Sequence, residues 1–125
     1  MFNVLLVALG GGIGAATRYG VSLASGARAD AWPWATFAIN VSGSLLIGVL
    51  AGWLSARGGA GEPWRLFLGV GVLGGFTTFS AYSLETLRLI ERQDYLGAAG
   101  YSLGSVLAGL AAVAIGLALA PRVAA

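Results

Sequence analysis

An all-α membrane protein with four transmembrane helices per subunit is predicted by three observations. The chain of 125 residues is 58% hydrophobic and 10% charged, with a mean hydropathy of +0.84, more apolar surface than one small soluble core can bury. Four stretches are almost free of charge: Phe2 to Ala27, broken only by Arg18, then Ala31 to Ala56, Leu66 to Leu84 and Tyr95 to Pro121. Each meets the requirement of roughly 20 residues for crossing a bilayer. Trp32, Trp34, Trp53, Trp64 and Tyr95 fall at the ends of these stretches, where amphipathic rings favour the headgroup region. The predicted spans are residues 2–25, 32–55, 64–88 and 95–120, forming a single four-helix domain over 1–125.

The first span follows Met1-Phe2-Asn3, which lacks the basic segment of a cleaved signal, so the span is expected to be retained. The second contains Thr36, Asn40 and Ser44, the third follows a Glu62-Pro63-Trp64 start, and the fourth carries Tyr101 and Ser105. Small residues repeat every fourth position at Ser44, Gly48 and Gly52, and again from Gly100 through Gly104, Ala108 and Ala112 to Gly116. Such stripes allow helix backbones to approach closely in lipid.

The third span holds the sequence's main anomaly. Gly74-Gly75-Phe76-Thr77-Thr78-Phe79-Ser80-Ala81-Tyr82 places two glycines and two β-branched hydroxyl residues where a membrane helix needs neither, each glycine costing about 1 kcal/mol against alanine. A helix broken near its middle is expected here, because freed backbone groups at membrane depth are tolerated where protein, water or an ion meets them.

Absence of cysteine and histidine removes disulfides, thiolate nucleophiles, imidazole bases and the usual transition-metal ligands. The pI near 9.5 comes from seven arginines against five acids without a basic run, which gives no support to nucleic-acid binding. With four spans, Arg57, Arg65 and Arg122 fall on one side and Arg28, Arg88 and Arg92 on the other. Three against three selects neither orientation under the positive-inside rule. Insertion both ways round, and with it an antiparallel homodimer, stands beside a single orientation tipped by the N-terminal charge or local context.

Polar groups within the spans are few. Thr36 and Asn40 share a helical face, as do Tyr101 and Ser105, and Phe79 with Tyr82. Each has a purely structural alternative in interhelical bonding, back-bonding to the preceding turn or aromatic packing. Arg18 lies close enough to an interface to snorkel. Taken together, hydroxyl and amide donors and positive ring edges suit an anion, whereas carbonyls exposed by a break suit a cation.

Three strings carry a family resemblance: Gly11-Gly12-Ile13-Gly14-Ala15-Ala16-Thr17-Arg18-Tyr19, Asn40-Val41-Ser42-Gly43-Ser44 and Gly74-Gly75-Phe76-Thr77-Thr78-Phe79-Ser80. In this order and spacing they resemble the Fluc (CrcB) fluoride channel family over essentially the whole chain. The resemblance implies an antiparallel dual-topology dimer in the plasma (inner) membrane, passive fluoride efflux, and a structural sodium ion at the dimer centre. It also implies that Gly74 and Thr77 supply carbonyl ligands to sodium. Asn40 matches the pore asparagine and Phe79 the first pore phenylalanine, with Ser80 beside it in the pore set. The second pore phenylalanine is Tyr82 here, a change that bears on conduction and gating. Thr36, Tyr101 and Ser105 fall on the family's polar track, which Gly109 shortens. Arg18 matches the first-helix arginine, and Glu85 lies at the pore mouth. The implied partners are fluoride, sodium, the lipid bilayer and a second copy of the chain, with no nucleic acid.

Two other classes fit the length. A dual-topology drug/proton antiporter needs a carboxylate deep in the membrane, and the nearest, Glu85, lies towards a span end. A non-transporting assembly subunit explains the small-residue stripes but not the glycine–threonine interruption.

Overall fold

Apolar runs punctuated by short polar loops fold into antiparallel helices. The computed structural model describes residues 1–26, 28 and 30–124. Within it α1 spans Phe2–Ala24 and α2 spans Trp34–Ser55; a 3₁₀ turn at Gly58–Gly61 leads into a short α3, Glu62–Trp64. A π-helical segment, Arg65–Leu73, and the brief α4, Gly74–Phe76, follow; then come α5, Phe79–Glu91, and α6, Tyr95–Ala124. Four helical stretches, Phe2–Ala24, Trp34–Ser55, Gly58–Glu91 and Tyr95–Ala120, are long and apolar enough to cross a membrane.

Glycine sets the packing. α1 lies chiefly along the π-helical segment and α4, and α2 along α6. A methyl group at Gly14 would run into the Val72 carbonyl and come within 2.8 Å of the Phe76 amide. Gly75 is equally tight against Gly11 of α1. On the other side Gly48 meets Val113 and Gly116, and Gly52 meets Ala120. The stripe on α6 is thus engaged only in its second half: side chains added at Gly100 or Gly104 would meet nothing within 4 Å.

The nine-residue π segment is not a feature that hydropathy announces. Wide turns of this kind are rare and concentrate at functional sites. Here the segment brings Gly71 against Gly10, where an added methyl would sit 2.9 Å from the Gly10 Cα.

The turn from α5 to α6 is closed by backbone. Gln93 has φ +59°, its amide donates to the Ile90 carbonyl at 2.9 Å, and the Asp94 amide donates to Leu89 at 2.9 Å. This is the Schellman arrangement, with a glutamine at the left-handed position usually given to glycine. Asp94 then starts α6, its Oδ1 accepting from the Gly97 amide at 2.9 Å. The two tryptophan groups lie at opposite ends of the bundle: Trp32 and Trp34 are 4.4 Å apart, and Trp53 stacks edge-on to Trp64 at 6.3 Å beneath the Arg57 guanidinium.

Candidate functional site

The third span stops being helical at Thr77 and Thr78, two residues after the glycine pair. Gly74 itself is helical, with φ −63° and ψ −38°. Thr77 has ψ 157°, and Thr78 has φ −150° and ψ 121°, the extended backbone that β-branched residues favour. The Thr78 hydroxyl accepts from the Ala81 amide at 3.2 Å and so starts α5, the usual work of an N-cap threonine.

Asn40 holds the extended pair in place. Its Oδ1 accepts from the Thr78 amide at 2.8 Å, and its Nδ2 donates to the Thr78 carbonyl at 3.0 Å. One side-chain amide therefore satisfies both backbone groups of one residue. Gly43, one turn on, lets Thr77 approach α2: an added methyl would collide with the Thr77 Cγ2.

The carbonyls upstream lose their helical donors. In a continuous helix the Thr78 amide would meet the Gly74 carbonyl, and the Ala81 amide the Thr77 carbonyl. Asn40 and the Thr78 hydroxyl have taken those amides instead. The Gly75 carbonyl is claimed by Arg18, whose Nε donates to it at 3.2 Å. Arg18 thus braces the interruption from α1.

Beside the interruption lies a cavity of about 400 Å³. Asn40, Gly43 and Ser44 of α2, Gly74 to Phe79 of the third span in part, Tyr82, and Ser105 of α6 line it. No charged side chain is among the lining residues. Most of its polar groups are already engaged: Ser44 donates to the Asn40 carbonyl at 2.7 Å, Thr77 to Leu73 at 2.9 Å and Tyr82 to the Ser102 carbonyl at 3.0 Å. The exception is Ser105, whose buried hydroxyl has no partner among the described residues. Asn40 also keeps one of its two N–H donors in reserve. Phe79 stands at the rim, 80% exposed, with its ring 5.6 Å from that of Tyr82.

Past Tyr82 the aromatic contacts continue towards the far end of the bundle. Tyr82 lies 5.4 Å from Tyr101, and Tyr101 meets Trp32 edge-on at 5.2 Å. Tyr101 is fully buried. Its hydroxyl donates to Glu85 Oε2 at 2.7 Å, while the buried Thr36 hydroxyl donates to Glu85 Oε1 at 2.8 Å. A carboxylate at this depth is thereby met by a donor on each oxygen, which answers much of its desolvation cost. Thr36 and Glu85 then floor a second cavity of about 370 Å³, which opens at the ends of α1 and α5.

Asn40, Phe79, Tyr82, Ser105, Gly74 and Thr77 are therefore gathered around one cavity, and Thr36, Tyr101 and Glu85 around one carboxylate. Ser80 is not among the residues lining either cavity; its hydroxyl lies 3.3 Å from that of Thr78 on the exposed face. Tyr82 presents its ring to the cavity, but its hydroxyl is turned to α6. Ser44, read from the sequence only as a packing position, joins the lining. The signal was available, because Ser44 follows Asn40 by four residues as Asn40 follows Thr36. Gly109 sits opposite it, where an added methyl would come 3.5 Å from the Ser44 hydroxyl.

Residues 5–117 match the family model described as CrcB-like protein, Camphor Resistance (CrcB). Among curated relatives, the fluoride-specific ion channel FluC of Novosphingobium aromaticivorans is 57% identical over 122 residues, covering 95% of this chain and 96% of its own. That of Phenylobacterium zucineum is 56% identical over 125 residues, covering 98% of each. That of Methylobacterium nodulans is 50% identical over 119 residues, covering 95% and 96%. All three carry the name of an ion channel and none that of an enzyme. With four helices able to cross a membrane and a match over nearly its whole length, the chain is an integral membrane protein of the CrcB-like family.

Proposed function

We propose that this chain is a fluoride-selective channel that releases fluoride passively across the plasma (inner) membrane. The Ser105 hydroxyl, without a partner among the described residues and set in an uncharged cavity, is the observation that carries the reading. A desolvated anion needs donors to replace its water, and a donor without a prior partner can be given at no cost of a broken bond. The reserve N–H of Asn40 and the positive edges of the Phe79 and Tyr82 rings add to it. The names of the relatives support fluoride as the anion. Chloride is larger and is excluded by closely set donors that fluoride can satisfy. Fluoride enters cells as neutral HF and ionises there, so an anion leak relieves accumulation. An interior-negative potential drives each anion outward with about 2.3 kcal/mol per 100 mV.

The working unit is an antiparallel dimer inserted in both orientations. Support comes from the balanced arginines and from the lateral opening of the cavity, where Phe79 is left 80% exposed in a single chain. Each copy would offer the Gly74 and Thr77 carbonyls, freed of their helical donors, to a sodium ion shared at the two-fold axis. Bound sodium would supply positive charge that holds these carbonyls together, and hard backbone oxygens are donors that suit it.

Proteoliposomes loaded with fluoride test the function. The wild type is expected to release fluoride and retain chloride, as read by ion-selective electrodes, and Ser105→Ala to release fluoride more slowly. Wild-type vesicles that hold their fluoride would end the channel reading.

A further inference from the structure

As the second and fourth spans, α2 and α6 run in the same direction, and they stay in step: residues four apart on one meet residues four apart on the other. Trp32, just ahead of α2, shows the register, its Nε1 donating at 3.3 Å to the Gly97 carbonyl 65 residues later. One turn on, Thr36 and Tyr101 share Glu85. The next level holds Asn40 and Ser105, both on the uncharged cavity. Further along, Gly48 packs directly against Val113. Between these lies the level of Ser44 and Gly109, where only α2 carries a hydroxyl. An added methyl at Gly109 would stand 3.5 Å from the Ser44 Oγ, an ordinary contact distance. The Ser44 hydroxyl therefore lies beside the place that a side chain from α6 would take.

We propose that Ser44 hydrogen-bonds the permeating anion at the level beyond Asn40 and Ser105, supplying from α2 the hydroxyl that Gly109 leaves out of α6. The inference rests on the channel reading and adds to it a residue that touches the ion. Ser44 lines the cavity, and its hydroxyl donates to the Asn40 carbonyl at 2.7 Å. In a helix that same carbonyl accepts from the Ser44 amide, so the hydroxyl can turn to an anion without leaving it orphaned. A back-bonded serine of this kind holds a donor in store. One helical turn, about 5.4 Å, separates the two levels, a step short enough for an ion to form a new bond as it gives up an old one. Close packing does not call for the hydroxyl: at Gly48 and Gly52 the same seam is served by the absence of any side chain. Position selects Ser44, since Ser42 is exposed and lines neither cavity.

The full chain in fluoride-loaded proteoliposomes tests the assignment. Ser44→Ala is expected to release fluoride roughly tenfold more slowly than wild type, the scale of one hydrogen bond to a charged group, with its thermal stability in detergent unchanged. Gly109→Ser in the Ser44→Ala background moves the hydroxyl to α6 at the same level and should restore most of the rate. Gly109→Ala in that background should not. Ser44→Thr and Ser44→Val, equal in shape, put the same question on α2 alone, and threonine is expected to outpace valine. A wild-type rate in Ser44→Ala would overturn the assignment. Equal restoration by serine and alanine at 109 would mean a filled void and overturn it too. If serine at 109 restores nothing, the pair at 44 decides, equal rates overturning the assignment and a faster threonine upholding it. Wild-type vesicles that release no fluoride would defeat the channel reading, and the role of Ser44 with it.

Discussion

The two halves of the third span are held by different forces. Before the interruption, the π segment and α4 press backbone to backbone against α1 through Gly10, Gly14, Gly71 and Gly75, with Arg18 as the single polar clamp among the described residues. After it, α5 is held by side-chain hydrogen bonds: Thr78 by Asn40, Tyr82 to Ser102, and Glu85 to Thr36 and Tyr101. The first half derives its position from shape and the second from donors and acceptors. An ion path benefits from that division, because a glycine seam is rigid and inert while a hydrogen-bonded wall can exchange partners with an ion.

Substitution at Asn40 should have the largest effect. Asn40→Ala strips both backbone partners from Thr78 within the membrane, at about 1–3 kcal/mol for each group left unsatisfied. A large fall in thermal stability in detergent and abolished fluoride release are expected. Retention of full flux would show that the Thr78 contacts are incidental. Next comes the glycine seam: Gly14→Ala forces a methyl against the Val72 carbonyl, an overpacking cost of about 1–3 kcal/mol. Here stability should fall while the protein that remains folded keeps its selectivity for fluoride over chloride; lost selectivity would mean that the seam reaches the ion path.

Tyr82→Phe should have the smallest effect. It removes one hydrogen bond, worth about 1 kcal/mol, and leaves the ring against Phe79 and Tyr101. Since the hydroxyl is directed at Ser102 and away from the cavity, fluoride release should change by no more than a few-fold. A complete loss of conduction would mean that the hydroxyl meets the ion.

Some of this was legible in the sequence because hydropathy alone writes it. Four helices long and apolar enough to cross a membrane are present, since exclusion of charge over about 20 residues leaves little freedom. The third helix runs to Glu91, with Arg88 in its last turn and Arg92 as its C-cap, exposed charges that hydropathy reads as loop. The interruption was signalled by Gly74 and Gly75, yet the extended residues are Thr77 and Thr78. Gly75 is there for close approach to α1, a tertiary demand invisible to local propensity, while Gly74 lines the cavity. Nothing in the sequence pairs Glu85 with Thr36 and Tyr101, which lie 49 and 16 residues away. Charge counting likewise treats Arg88 and Arg92 as markers of a membrane side and carries no information on the second cavity, which they line.

The π segment adds a consequence for phase. A residue deleted between Arg65 and Leu73, with the width of the turns kept, would shift the phase of the helix, whose residues are set about 100° apart in the α form and somewhat less in the π form. Everything on one side of the deletion would rotate by about that angle relative to the other. Gly71 would leave Gly10, or Thr78 would leave Asn40, and no point substitution could restore both. The nine residues therefore act as a vernier between the glycine seam and the hydrogen-bonded wall, and the length of this segment is held more strictly than its composition.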